Sequence, residues 1–263
     1  MKKFLVVGNP IKHSLSPELH NYWLRTNNIN GTYEKKLLNE TELENIVSKV
    51  RSEELAGANI TVPFKNKIIK HLDVLTDDAK ITQSVNTIYK ENGKILGCNT
   101  DTIGFELSLS KFTEHLKGKK VVILGAGGVV PSMVYVLKKL EVDKIYISNR
   151  TMEKSEKIKL MFEDIEIVKW GEIPVVDAII NGTSLGLKTD DRIDIDYQKI
   201  GPNKFFYDVI YSPSRTNFLM EAESKGNITA NGKLMFVYQA QKAFEIWNKF
   251  KPKINEEVLN LLK

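Results

Sequence analysis

At 263 residues the chain has room for one large or two modest domains, each with its own core. Its net charge of +5 comes from scattered lysines, which reads as a solvated surface, and no nucleic-acid-binding motif is present. The single cysteine, Cys98, excludes an internal disulfide and suits a reducing compartment, so the cytoplasm is the expected address.

The opening run Phe4 to Val7 reads as a first strand, and it stops at Gly8-Asn9-Pro10, too soon for an export signal. No stretch is long and apolar enough to span a bilayer. The loop Gly8-Asn9-Pro10-Ile11-Lys12-His13-Ser14-Leu15-Ser16-Pro17 leads into a helix with Leu19, Tyr22 and Trp23 on one face. Ser16 is expected to cap that helix, with Pro17 at its first position. Ser14 and Ser16 at a helix mouth equally suit a small carboxylate receptor, and the loop alone leaves both readings open. Thr32 to Leu38 is the next predicted strand. Thr41-Glu42-Leu43-Glu44 then forms a capping box for a helix with Leu43, Ile46, Val47 and Val50 inward.

In Gly57 to Lys65, Asn59 and Thr61 alternate with Ile60 and Val62, so the two polar side chains share one face of an extended segment. Lys65 follows just past its end. A lone lysine is usually solvent-facing, whereas one at a strand's C-terminal end, beside a polar face, is well placed to act. A helical stretch is expected from Asn66 to Leu75. Val85 to Lys90 and Lys94 to Cys98 form a hairpin about Asn92-Gly93, ending in Asn99-Thr100-Asp101. Asn86 and Asp101 therefore fall on neighbouring strands. Asp101 also suits the N-cap of a helix from Ile103 to Leu109.

Val121 to Leu124 is an apolar run expected of a buried parallel strand. Gly125-Ala126-Gly127-Gly128 follows, then a helix from Val129 with Val130, Met133, Val134, Leu137 and Leu140 at helical spacing. Strand, glycine turn and helix N-terminus together suit a dinucleotide pyrophosphate. The full fingerprint wants a small residue where Val130 stands, so a glycine turn of some other α/β protein stays open. The next strand, Lys144 to Ser148, ends in Asn149-Arg150-Thr151. An NAD site would place an acid there, whereas Arg150, with Thr151 and Lys154 next in line, points to NADP. Val175 to Ile180 is a further buried strand, closed by the polar loop Asn181-Gly182-Thr183-Ser184-Leu185-Gly186. Phe205 to Tyr211 is another, before a helix carrying Phe218 and Leu219. Asn231-Gly232 precedes a long helix, Leu234 to Phe250, with Phe236, Ala240, Phe244 and Trp247 as its core stripe and Gln239 off it. His13, His20, His71 and His115 lack ligand spacing, so no metal is expected.

Taken together, the chain closely resembles the shikimate dehydrogenase family. The resemblance is carried, in family order, by Gly8-Asn9-Pro10-Ile11…His13-Ser14-Leu15-Ser16-Pro17, Asn59-Ile60-Thr61-Val62-Pro63-Phe64-Lys65, Val85-Asn86-Thr87 and Asn99-Thr100-Asp101…Gly104. Gly125-Ala126-Gly127-Gly128, Asn149-Arg150-Thr151, Asn181-Gly182-Thr183-Ser184…Gly186, Asp208-Val209-Ile210-Tyr211…Pro213…Thr216 and Gln239-Ala240 continue it. It implies an α/β protein in which residues 1–101 and 235–263 form a three-layer substrate domain and residues 102–234 a Rossmann-type NADP-binding domain. The implied activity is reversible, NADPH-dependent reduction of 3-dehydroshikimate to shikimate in the chorismate route to aromatic amino acids.

Carried over by position, the resemblance puts Ser14 and Ser16 on the substrate carboxylate, with Tyr211 near it. Asn59, Thr61, Asn86, Asp101 and Gln239 would bind the ring hydroxyls, and Lys65 with Asp101 would be the catalytic pair. Cofactor contacts are implied at Asp77, Gly125, Ala126, Gly127, Gly128, Val129, Asn149, Arg150, Thr151, Lys154, Thr183, Val209 and Gly232. Three residues depart from the family pattern: Val130, where a small residue is usual, Gly182, where alanine is common, and Leu234, near which more glycine is common. A small-molecule substrate is the expected partner, with a homodimer left open. Three rivals remain at this stage: a quinate dehydrogenase using NAD, a non-catalytic NADP-binding regulator, and a methylenetetrahydrofolate dehydrogenase. Ser14, Ser16 and Arg150 disfavour the first, retention of Lys65 and Asp101 the second, and the serine loop the third.

Overall fold

The computed structural model describes residues 1–262, which divide into two compact units: Met1–Gly104 with Val237–Leu262, and Phe105–Phe236. In chain order the first unit contains β1 (Lys2–Gly8), α1 (Ser16–Thr26), β2 (Gly31–Leu37), α2 (Leu43–Arg51), β3 (Gly57–Ile60), β4 (Val74–Leu75), α3 (Asp77–Thr82), β5 (Thr87–Glu91), β6 (Lys94–Cys98) and the start of α4 (Thr100–Ser108). Its six-stranded sheet runs β2-β1-β3-β5-β6-β4. β1 pairs in parallel with β2 and β3, whereas β3–β5 and β5–β6 are antiparallel. The register sets Val7 beside Ile60, Asn59 beside Thr87 and Thr87 beside Cys98. The exits of β1, β3 and β6 and the entrance of β5 consequently share one sheet edge, and the loops at that edge carry the polar residues.

Side-chain alternation decides what covers each face. Val7, Ala58, Ile60, Ile88 and Ile95 pack with Leu43, Ile46, Val47 and Val50 of α2. Phe4 points the other way and stacks on Trp247, whose indole N–H donates to the Ile88 carbonyl at 3.1 Å. On that second face His20, Trp23 and Tyr33 join Phe244 and Trp247 in an aromatic cluster. Burial holds His20 neutral, its imidazole pKa lowered to about 3.

The second unit continues with β7 (Lys120–Leu124), α5 (Val130–Lys139), β8 (Lys144–Ser148), α6 (Met152–Met161), β9 (Glu166–Val168), β10 (Ala178–Asn181), α7 (Tyr197–Ile200), β11 (Phe205–Asp208), α8 (Asn217–Ser224) and β12 (Ile228–Asn231). Then come α9 (Lys233–Asn248) and α10 (Glu256–Asn260). The sheet order is β12-β11-β10-β7-β8-β9 and every pairing is parallel. Such a sheet is covered on both faces, which explains its continuous apolar strands. Val121 and Ile123 face one core, Val122 and Leu124 the other. Strand order reverses at β7, which lies between β8 and β10. In open α/β sheets this reversal opens the crevice where ligands bind.

Several local expectations change. Ser16 is the first residue of α1 rather than its N-cap, with Leu15 at the cap position, and Ser14 Oγ accepts the Ser16 N–H at 3.3 Å. The capping box sits at Asn39 and Glu42 rather than Thr41 and Glu44: the Glu42 carboxylate accepts the Asn39 N–H at 2.9 Å ahead of α2. Residues 66–75 form a 3₁₀ turn, Lys67–His71, and then β4. The strand expected from Val175 starts at Ala178, because Val175 is 89% exposed, and the strand expected to reach Tyr211 ends at Asp208.

Candidate active site

In the first unit the shared sheet edge assembles a buried polar group. The Lys65 N–H₃⁺ donates to Asp101 Oδ2 at 2.5 Å, with the two side chains only 14% and 10% exposed. Lys65 reaches this position because the chain turns after β3, while its own carbonyl accepts the Val85 N–H at 2.9 Å. Asp101 lies in the first turn of α4, and Asn99 Oδ1 accepts its N–H at 3.2 Å, so Asn99 caps the helix and leaves Asp101 to face Lys65. The other carboxylate oxygen accepts from Asn86 Nδ2 at 2.9 Å. Asn86 is itself fixed: its Oδ1 accepts the Thr100 N–H at 2.7 Å and the Thr87 hydroxyl at 3.1 Å. Asn59 donates to the Asn86 carbonyl at 3.0 Å and to Thr87 Oγ1 at 2.9 Å, and accepts from the Tyr33 hydroxyl at 2.6 Å.

Lys65, Asn86, Asp101 and Asn59 thus form one network. A buried ion pair gains from further hydrogen bonds to its members, and Asn86 supplies one to the second oxygen of Asp101. Ser14 lies in the loop leaving β1 and Ser16, buried, opens α1, and Thr61 follows β3 with its N–H on the Val7 carbonyl at 2.9 Å. Gln239 is half-buried on α9. Asp77, at the start of α3, is 90% exposed and 3.3 Å from Lys80.

In the second unit the site is mostly backbone. Gly125 leaves β7 at φ +107°, a conformation closed to most side chains, and a Cβ there would sit 2.8 Å from Thr183 Cγ2. Gly127 and Gly128 are exposed, Gly128 with open space around its Cα, and Val129 occupies the N-cap of α5. Thr183 is held against this turn by Asn181, whose Oδ1 accepts both its N–H (2.9 Å) and its hydroxyl (2.7 Å). Asn181 in turn donates to Asp208 Oδ1 at 3.0 Å. Asp208 also accepts the Ile210 N–H at 3.0 Å and the Thr216 hydroxyl at 2.6 Å, and burial nevertheless pushes its carboxyl up to about 6.

Beyond β8, Asn149 Nδ2 donates to the Thr151 carbonyl at 2.7 Å. Arg150, Thr151 and Lys154 are exposed, and Thr151 sits at the N-cap of α6 without using its side chain as the cap. Gly232 lies against the Val209 carbonyl, and Tyr211 stacks on Phe236 at 4.4 Å. A turn through Gly125 at positive φ, exposed Gly127 and Gly128 beyond it, and an arginine where ribose-binding acids usually stand fit an NADP molecule.

Comparison with known proteins agrees with this arrangement. Residues 6–88 match the shikimate dehydrogenase substrate binding domain, and residues 106–185 match the shikimate / quinate 5-dehydrogenase domain. A shikimate dehydrogenase (NADP(+)) of Pelagibacter ubique (strain HTCC1062) is 58% identical over 261 residues, covering 99% of this chain and 98% of the relative. The chain belongs to the shikimate dehydrogenase family. The shikimate dehydrogenase of Aquifex aeolicus superposes with a TM-score of 0.90 at 36% identity, covering 100% of this chain and 97% of that one. A shikimate dehydrogenase solved in complex with NADP+ gives 0.91 at 32% identity, covering 100% and 94%. Among the described residues no helix is long and apolar enough to cross a membrane.

Val130 and Gly182, two of the positions that depart from the pattern of the resemblance, meet. A Cβ on Gly182 would lie 3.0 Å from Val130 Cγ2, so the valine methyl fills the space an alanine would claim. The third small residue of the fingerprint serves close helix–strand packing; here the room comes from the opposite strand exit. Thr87, Thr100, Tyr33 and Asp208 were not singled out in the sequence. The threonines and Asp208 adjoin or lie within the motif blocks, whereas Tyr33 carries no signal beyond its strand. If Val130 and Gly182 compensate, Gly182→Ala alone should lower the melting temperature and weaken NADP binding. Adding Val130→Ala should recover part of both losses, as for coupled neighbours, whereas additive losses in thermal melts and NADP titrations would separate the two positions.

Proposed function

We propose that the protein reduces 3-dehydroshikimate to shikimate, reversibly, with NADPH. The observation that carries this reading is the Lys65–Asp101 contact of 2.5 Å, held by Asn86 among buried polar side chains at one sheet edge. Ser14 and Ser16 bind the substrate carboxylate. Thr61, Asn86, Asp101 and Gln239 take the ring hydroxyls, with Asn59 fixing Asn86 and Tyr211 near the carboxylate. Gly125, Ala126, Gly127, Gly128 and Val129 would bind the NADP pyrophosphate, and Asn149, Arg150, Thr151 and Lys154 the ribose phosphate. Asp77, Thr183, Val209 and Gly232 would complete that set. The lone cysteine suits a reaction in the reducing cytoplasm.

The dinucleotide, when bound, supplies the hydride. As the ketone carbon is reduced, negative charge develops on its oxygen. The Lys65 ammonium donates a hydrogen bond to that oxygen and then its proton, leaving an alcohol and a neutral amine that water reprotonates. Asp101 orients the ammonium throughout, which is why Asn86 has to fix Asp101.

Lys65 acts mainly on charge that develops during the reaction, so Lys65→Ala should lower kcat by roughly 10²–10⁴ while the KM for shikimate changes little. Steady-state rates near wild type would remove Lys65 from the chemistry. Arg150→Ala should raise the KM for NADP by roughly ten- to a hundredfold, the size of a lost charge-assisted hydrogen bond. The KM for NAD should move far less, because NAD lacks the phosphate. Equal losses with both nucleotides would contradict the assignment of Arg150.

A further inference from the structure

The buried network at the sheet edge has a direction. Asn59 Nδ2 lies 3.0 Å from the Asn86 carbonyl, which can only accept, and 2.9 Å from Thr87 Oγ1. The Asn59 amide orientation is therefore determined, and its Oδ1 must face Tyr33, 2.6 Å away. The Tyr33 phenol is thus a donor to Asn59. Thr87, having accepted from Asn59, gives its own hydrogen to Asn86 Oδ1 at 3.1 Å. With Asn86 Oδ1 also taken by the Thr100 N–H at 2.7 Å, the Asn86 NH₂ points at Asp101 Oδ1. Hydrogens along Tyr33, Asn59, Thr87 and Asn86 all run toward the carboxylate that holds Lys65.

We propose that Tyr33 is a positioning residue for the substrate site, acting through Asn59, Thr87 and Asn86 on the Asp101 carboxylate that holds Lys65. This rests on the functional reading above. Tyr33 is 1% exposed, and its ring stacks on His20 at 4.2 Å with the planes 3° apart. The ring therefore belongs to the aromatic core and only the hydroxyl belongs to the site. Removing that hydroxyl leaves the Asn59 oxygen buried without a donor and lets Asn59 turn, which loosens Thr87, Asn86 and Asp101 in sequence.

The test is the kinetics of Tyr33→Phe, Thr87→Val and the double variant in shikimate oxidation, with melting temperatures for each. Tyr33→Phe should lower kcat/KM for shikimate by roughly ten- to a hundredfold, the range for a buried acceptor stripped of its donor, while the KM for NADP stays at its wild-type value. Thr87→Val interrupts the next link, so the double variant should lose less than the product of the single losses. Unchanged kcat/KM in Tyr33→Phe, or a loss shared equally by shikimate and NADP, would overturn the proposal. If Tyr33→Phe does not fold, Thr87→Val alone decides: a selective loss on shikimate supports the chain and wild-type kinetics overturn it. A wild-type protein that does not oxidise shikimate would instead overturn the functional reading.

Discussion

The first unit depends on one constraint: an ammonium and a carboxylate have to be held 2.5 Å apart with little water around them. Desolvating two such charges costs several kcal/mol each even after relaxation, which their attraction offsets only when the geometry is good and further hydrogen bonds support the pair. The sheet meets that condition through its pairing. Parallel β1 and β3 and the antiparallel hairpin β5–β6 end at one edge, so Asn86 enters it from one strand and Asp101 from the helix after the next. Removing either charge leaves the other uncompensated, which is why the supporting amides matter as much as the pair itself.

The second unit meets a different demand by other means. A pyrophosphate is large and anionic, and a helix N-terminus with glycines before it presents N–H groups without side chains in the way. The backbone at Gly125 takes φ +107°, and Thr183 is pinned against it through Asn181 and Asp208. Side-chain charge enters only where the ribose is expected, at Arg150. In the proposed reaction one unit would supply the proton and its orientation, and the other would hold a cofactor that brings its own chemistry.

Much of this was legible in the sequence because it is local. Apolar runs before glycines marked β7 and β10, and the Asn92-Gly93 turn marked the hairpin. What escaped depends on contacts distant in the chain. Val130 looked like a defect in the fingerprint until Gly182 stood opposite it. Tyr33 gave no warning, since a tyrosine in a strand is ordinary until its partners are known.

The central claim is the pairing of a shikimate site with an NADP site in one chain. The most direct measurement is reduced-nucleotide absorbance of the purified protein with shikimate or quinate, each combined with NADP or NAD. The account predicts the highest kcat/KM for shikimate with NADP, a large drop when NAD replaces NADP, and a drop when quinate replaces shikimate. Failure to reduce NADP with shikimate, or a preference for NAD, would contradict it.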